Sequence, residues 1–301
     1  MSNLRFRLQL IAFALMLGFV SASAQNIRYV SMNGENSNDG TSWAKAKRDV
    51  QDAINDLVNN NLTGEVWVAA GTYYPTETTE SSSSPYHKSF KIPAGITVRG
   101  GFRGKVEADA EKDIVAYHGE ATLADRHMED DAFFGEAADN GTSEDTGTLD
   151  GEAAGSGVYS NKTILCGDLN EDKVADVTWN EQKQQFDVTF YGNSYHVVWF
   201  AMNGFDPDGR ALPLASPAKL EGCVVKGGHA YTNDASDDHP HVGYGGGIYM
   251  VANSFVYNSE VKECDASRNG GGIYMDGGGI VRRTFVHDCQ ALGIGTEYGL
   301  G

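Results

Sequence analysis

Apolar positions in this chain come in short bursts closed by turn residues. Ile27-Arg28-Tyr29-Val30, Glu65-Val66-Trp67-Val68-Ala69, Ile96-Thr97-Val98, Thr163-Ile164-Leu165-Cys166 and Tyr195-His196-Val197-Val198-Trp199-Phe200 are each rich in β-branched or aromatic residues. Each predicts a brief strand. Their uneven spacing predicts coils joined by loops of variable length. One stretch has a different period. Val50, Ala53, Ile54, Leu57 and Val58 fall three or four positions apart, and Ser42 stands where a cap belongs, so a helix is expected from about Trp43 to Asn60. Residues 105–162 break the pattern, with fifteen Asp or Glu against four Lys or Arg. An acidic, partly disordered insertion is expected there.

From Gly245 onward the sequence repeats. Gly245-Gly246-Gly247-Ile248-Tyr249-Met250 returns as Gly270-Gly271-Gly272-Ile273-Tyr274-Met275, an offset of 25 residues. The same offset relates Val256 to Val281, Val261 to Val286, Cys264 to Cys289 and Ala266 to Ala291, so 10 of 25 positions are identical. A partial earlier copy, Leu220-Glu221-Gly222-Cys223, aligns with Val261 to Cys264. A repeat of this length is one unit of a solenoid. The glycine triplets exclude paired helices, so each unit reads as a coil of about three strands: Gly247–Met250, Phe255–Tyr257 and Glu260–Cys264. Stacked coils pair like with like at about 4.8 Å. Val261 over Val286 and Cys264 over Cys289 then become inner ladders, and Tyr249 and Tyr274 an outward one. The fold class expected is all-β, a parallel β-helix solenoid. Its open start needs a cover, which the helix provides.

Several stretches resemble a known group of proteins. They are Tyr29-Val30-Ser31, Asn38 to Trp43, Ala53-Ile54, Val66 to Tyr73, Gly100 to Gly104, Ile164 to Asp168 and the Gly-Gly-Gly-Ile-Tyr coils. Together they resemble the exported right-handed parallel β-helix proteins of the pectin-lyase-like superfamily, in particular the large surface proteins of Bacteroidetes-type bacteria. The coils are also similar to the repeats of polymorphic outer-membrane proteins. The resemblance implies a right-handed solenoid and export. It implies little about activity, because the superfamily includes lyases, hydrolases and adhesins.

Composition and charge narrow the setting. Arg5 and Arg7, the apolar run Leu8 to Val20 and Ala22-Ser23-Ala24 form a signal peptide over residues 1–24, cleaved before Gln25. The run is short for a membrane span. A secreted or cell-surface protein is therefore expected, and the resemblance implies association with the outer membrane. The net charge is −18, and losing two arginines with residues 1–24 makes it −20. Such a surface repels nucleic acid and anionic lipid. The chain reaches Gly301 without a closing cap, and reads as the first portion of a longer protein.

Candidate chemistry is sparse. Asp168, Asn170, Asp172 and Asp176 alternate as in the first nine positions of an EF-hand loop and form a candidate calcium site. Lys173 replaces the turn glycine and Trp179 the closing glutamate, so a solvated acidic turn is the alternative. Asp237-Asp238-His239-Pro240-His241 offers transition-metal ligand types, although an exposed polar loop is the favoured reading. The four cysteines are expected as stacked buried thiols, and Trp67 and Trp199 as core. Tyr249 and Tyr274 are the candidate ligand-contact ladder. Arg282 and Arg283 align with Tyr257 and Asn258, and Asp265 with Gln290, so no catalytic carboxylate pair is evident. The preferred function is a non-catalytic scaffold that binds polysaccharide or a host or cell-surface ligand. The alternative is a polysaccharide lyase or glycoside hydrolase.

Overall fold

A computed structural model of the chain describes residues 26–79, 85–104, 162–169, 176–180, 185–189, 192–206, 210–231 and 241–293. The expected signal peptide, the expected acidic insertion up to 161 and the final residues lie outside the described residues. The first strand is β1 (Asn26–Val30), and the helix α1 spans Val50–Asn59. The helix starts seven residues later than expected. A short 3-10 turn occupies Trp43–Lys45, and Ser42 makes no side-chain capping bond. The reason is backbone competition. Lys47 donates its N–H to Tyr29 and accepts from Ser31 N–H, both at 2.9 Å, so the chain around it pairs with β1. Val50, Ala53, Ile54 and Leu57 are fully buried against β1 and its neighbours, whereas Val58 is off the stripe and 43% exposed.

The strands that follow are β2 (Gly64–Ala69), β3 (Gly71–Tyr73), β4 (Phe90–Lys91), β5 (Ile96–Phe102) and β6 (Thr163–Cys166). After them come β7 (Asp176–Asn180), β8 (Gln185–Thr189), β9 (Val198–Trp199), β10 (Ala218–Glu221), β11 (Cys223–Lys226) and β12 (His229–Ala230). The 25-residue coils supply β13 (Ile248–Val251), β14 (Ser254–Tyr257), β15 (Glu260–Lys262) and β16 (Asp265–Ala266). One coil further on stand β17 (Ile273–Asp276), β18 (Ile280–Arg282), β19 (Phe285–His287) and β20 (Gln290–Ala291).

Among the described residues these strands form four parallel sheets, and β7 with β8 forms a separate antiparallel hairpin. The first sheet runs β1-β2-β5-β10-β14-β18 and the second β3-β6-β11-β15-β19. The third is β12-β16-β20 and the fourth β4-β9-β13-β17. The chain is thus an all-β parallel solenoid with one α-helix among the described residues. From β10 onward each coil visits four sheets rather than the three strands expected, because His229–Ala230, Asp265–Ala266 and Gln290–Ala291 form short strands of their own; the earlier coils have no strand in that sheet among the described residues.

The register bears out the 25-residue unit. Ile248 faces Ile273, Val256 faces Val281, Val261 faces Val286 and Ala266 faces Ala291. The coil below obeys a different step. Leu220 faces Val256 and Val225 faces Val261, each 36 residues on. The expected match of Cys223 with Cys264 is therefore incorrect; Cys223 N–H instead meets Ser259 Oγ at 3.4 Å. The difference, 36 − 25 = 11 residues, lies between β12 and β13: 17 residues separate those strands, against 6 between β16 and β17.

Close approach explains the glycine triplets. A Cβ on Gly247 would stand 2.5 Å from Gly272 O and 2.7 Å from Val261 Cγ1. Gly100 is similar, 2.5 Å from Gly222 O, and β5 continues through Gly100 and Gly101 instead of ending there. The corners use single left-handed residues. Asn258 and Arg283 have φ of 46° and 48°, and Glu263 and Asp288 have 52° and 51°.

Inside, Val66, Val98, Leu220 and Val256 form one row and Leu165, Val225 and Val261 another, all at most 1% exposed. Each such side chain contributes about 1.5–3 kcal/mol. The rows open at the last described coil, where Met275 is 51% and Val286 44% exposed. All four cysteines are free thiols, with Cys289 alone partly exposed. Among the described residues no helix is long and apolar enough to cross a membrane.

The inner rows predict unequal costs along one ladder. Val261→Asp should destabilise by on the order of 4 kcal/mol, since it buries an unpaired charge. Val286→Asp, one coil on and half open, should cost under about 1 kcal/mol. Chemical denaturation of the two variants measures this, and equal losses would contradict the stacked-coil interior.

Candidate functional site

The outer row of the fourth sheet is Lys91, Trp199, Tyr249 and Tyr274, in register. Phe90, Val198 and Ile248 alternate with it and point inward, at most 1% exposed. Tyr249 is therefore on the outer face, as its sequence position suggests. It is nevertheless covered, at 2% exposure. His196, Phe205 and His241 lie over it, with ring centroids 5.5, 6.4 and 6.3 Å away. The expected open tyrosine ladder is thus closed at Tyr249; Tyr274 is partly exposed beside Tyr244, 4.7 Å away. Tyr249 Oη donates to Asp276 Oδ2 at 2.9 Å, and burial with this carboxylate pushes the phenol well above its ordinary range.

The covering layer is histidine-rich. His196 is 2% exposed, and its Nδ1 lies 3.0 Å from Gly245 O, so this nitrogen carries the hydrogen that a carbonyl requires. Burial, reinforced by nearby His241, lowers the His196 pKa to about 3. His229 is likewise lowered to about 4 by burial, with Asp168 opposing.

The acidic loop is only partly described. Asp168 is bridged to Asn193, has a buried Oδ1, and lies beneath Gly227 and His229. Asp176 begins β7. Asn170 and Asp172 lie outside the described residues, as do Asp237 to Pro240. Among the described residues no group of three or more His, Cys, Asp or Glu is arranged to hold a metal ion.

The first sheet carries an outer face that the sequence pattern did not reveal. One row is Ile27, Glu65, Thr97, Lys219, Phe255 and Ile280. The next is Tyr29, Trp67, Arg99, Glu221, Tyr257 and Arg282. At the β1 end, Trp67 stacks on Phe102 at 4.6 Å and Tyr29 meets Trp43 at 4.9 Å, forming a small apolar cluster outside the main core. In the middle, Arg99 grips Glu65 through two bonds of 2.8 and 2.9 Å and also binds Glu221. Trp67 Nε1 donates to the same Glu65 at 2.7 Å. Beyond them Phe255 and Tyr257 stack at 5.9 Å, partly exposed, with Lys219 and Arg282 alongside. The 25-residue offset alone connects Arg282 only to Tyr257; the 36-residue step brings Glu221 beneath both.

Comparison with protein-family models, characterised proteins and solved structures finds no match.

The buried histidines set a pH dependence. Their folded pKa values lie below the ordinary 6.5, so the unfolded chain binds more protons. Their stabilising contribution is present above pH 6.5 and falls as pH drops toward 4 and 3. Between pH 7 and 5 the melting temperature should fall, and His196→Gln should flatten that slope. A variant with the wild-type slope would show that His196 does not carry the effect.

Proposed function

We propose that this protein is an exported right-handed parallel β-helix of the pectin-lyase-like kind that binds an extended glycan without catalysis. The observation that carries the reading is the outer face of the first sheet, where Phe255 and Tyr257 stack between Lys219, Glu221 and Arg282. Aromatic faces suit the apolar faces of sugar rings, and the flanking charged groups suit their hydroxyls. The strand spacing, about 4.8 Å, is close to the length of one sugar ring. A glycan lying along the solenoid axis therefore meets a repeating set of contacts. Right-handedness is supported by the strong preference of parallel crossovers for that hand. Export is supported by the signal-like pattern of residues 1–24. The net charge of −18 favours a neutral glycan over a polyanionic one.

The absence of catalysis is supported by the use made of the carboxylates. Glu65 and Glu221 share one guanidinium, Arg99, in an ion network. A glycosidase instead needs one carboxyl group free to carry a proton and a second to act as base or nucleophile.

A glycan array followed by calorimetry tests the reading. Tyr257→Ala and Arg282→Ala should each weaken binding at least about tenfold, equivalent to about 1.4 kcal/mol. Trp199→Phe, under the covered face, should leave affinity unchanged. Full affinity in both first-sheet variants would remove this face as the site. Formation of an unsaturated sugar product would instead favour the lyase alternative.

A further inference from the structure

The layer over Tyr249 contains more than packing requires. His196 and His241 are 2% and 5% exposed, and their ring centroids are 5.9 Å apart. Trp199 lies 4.8 Å from the first ring and 4.9 Å from the second. His196 Nε2 is buried and meets no hydrogen-bond partner among the described residues. Leaving a buried polar atom unmatched costs about 1–3 kcal/mol. Phenylalanine would fill the same space without that cost, so packing alone does not account for the residue.

We propose that His196 and His241 are two ligands of a zinc- or copper-type divalent metal site beneath the Trp199 ring. The His196 hydrogen bonds fit this role. Its Nδ1–H donates to Gly245 O at 3.0 Å, which fixes the ring and leaves Nε2 with its lone pair. Histidine ligands commonly have such a bond on the far nitrogen, usually to a carboxylate, a backbone carbonyl or water. The spacing fits as well. Two imidazoles on one tetrahedral ion, with metal–nitrogen bonds of about 2.0 Å, have ring centroids roughly 5–6 Å apart. Burial keeps His196 neutral, the form that binds a metal. Imidazole selects zinc, copper or nickel over calcium or magnesium. Since the described residues supply no third His, Cys, Asp or Glu in a cluster, the remaining positions fall to water or a small exogenous donor.

The intact protein, stripped with a chelator, is titrated with Zn(II) by calorimetry and with Cu(II) by fluorescence. One equivalent should bind. Cu(II) should quench Trp199, and Trp199→Phe should lose that quenching while retaining zinc. His196→Gln and His241→Gln should each weaken zinc at least about tenfold, while His287→Gln, at a ring held by Glu260 and Asp288, should not. The electron paramagnetic resonance spectrum of Cu(II) on the unaltered protein should show coupling to two imidazole nitrogens, which decides the matter even if a variant misfolds. No binding, binding without those couplings, or wild-type affinity in either variant at 196 or 241 overturns the proposal.

Discussion

Every coil in this solenoid must place its inner side chains directly on those of the coil below. That requirement of register governs the rest of the structure. Val261 can be fully buried only because Val225 lies on one side of it and Val286 on the other. The interior left between the sheets is narrow, and a Cβ on Gly247 or Gly272 would run into Val261 or Val286 at 2.7 Å. The glycine triplets therefore follow from the valine rows. Length changes are excluded from the strands and pushed to the corners. The eleven extra residues between β12 and β13 enter at such a corner, and the rows on either side keep their pairing.

The same constraint separates the two outer faces. Inner positions are fixed by stacking, so variation accumulates on loops and outward side chains. On the fourth sheet, loops carrying Phe205 and His241 fold back over Trp199 and Tyr249 and bury them. On the first sheet, Phe255, Tyr257 and Arg282 stay partly or fully exposed. One sheet is thus closed into an aromatic and histidine layer, and the other is left as a ladder facing solvent. Arg99, on β5, links three strands of that ladder by holding Glu65 on β2 and Glu221 on β10.

Much of the fold was legible because a solenoid writes its register into the sequence. Val256 with Val281 and Val261 with Val286 can be read directly from the 25-residue identity. The helix was legible as an element but not at its start, because Lys47 is taken up by backbone bonds to Tyr29 and Ser31 that no local period reveals. Alternation correctly placed Tyr249 on the outer face. It could not show the residues that cover it, His196 and Phe205, 53 and 44 positions earlier, and the nearby His241. The first-sheet face was hidden for another reason: Glu221 and Tyr257 are 36 residues apart, a step marked only by scattered identities, Val225 with Val261, Lys226 with Lys262 and Ala230 with Ala266.

Histidine shows how position along the solenoid changes chemistry. His196 and His229 lie within the closed coils, where burial keeps them neutral, and their contribution is lost as pH falls below 6.5. His287 is at the last described coil. Burial there pulls its pKa down, but bonds of 3.0 Å to Glu260 and 2.8 Å to Asp288 outweigh it and raise the pKa overall. Both ring nitrogens face carboxylates, so the doubly protonated ring satisfies both. Its contribution is therefore complete below pH 6.5 and is lost as pH rises through the raised value. Glu260, also held by Lys262 at 3.0 Å, belongs to the coil beneath. A charged contact thus helps hold the last described coil, whose inner row is half open, while the coils below are held by a buried apolar interior. Acid acts on the two in opposite directions because their histidines start from opposite protonation states.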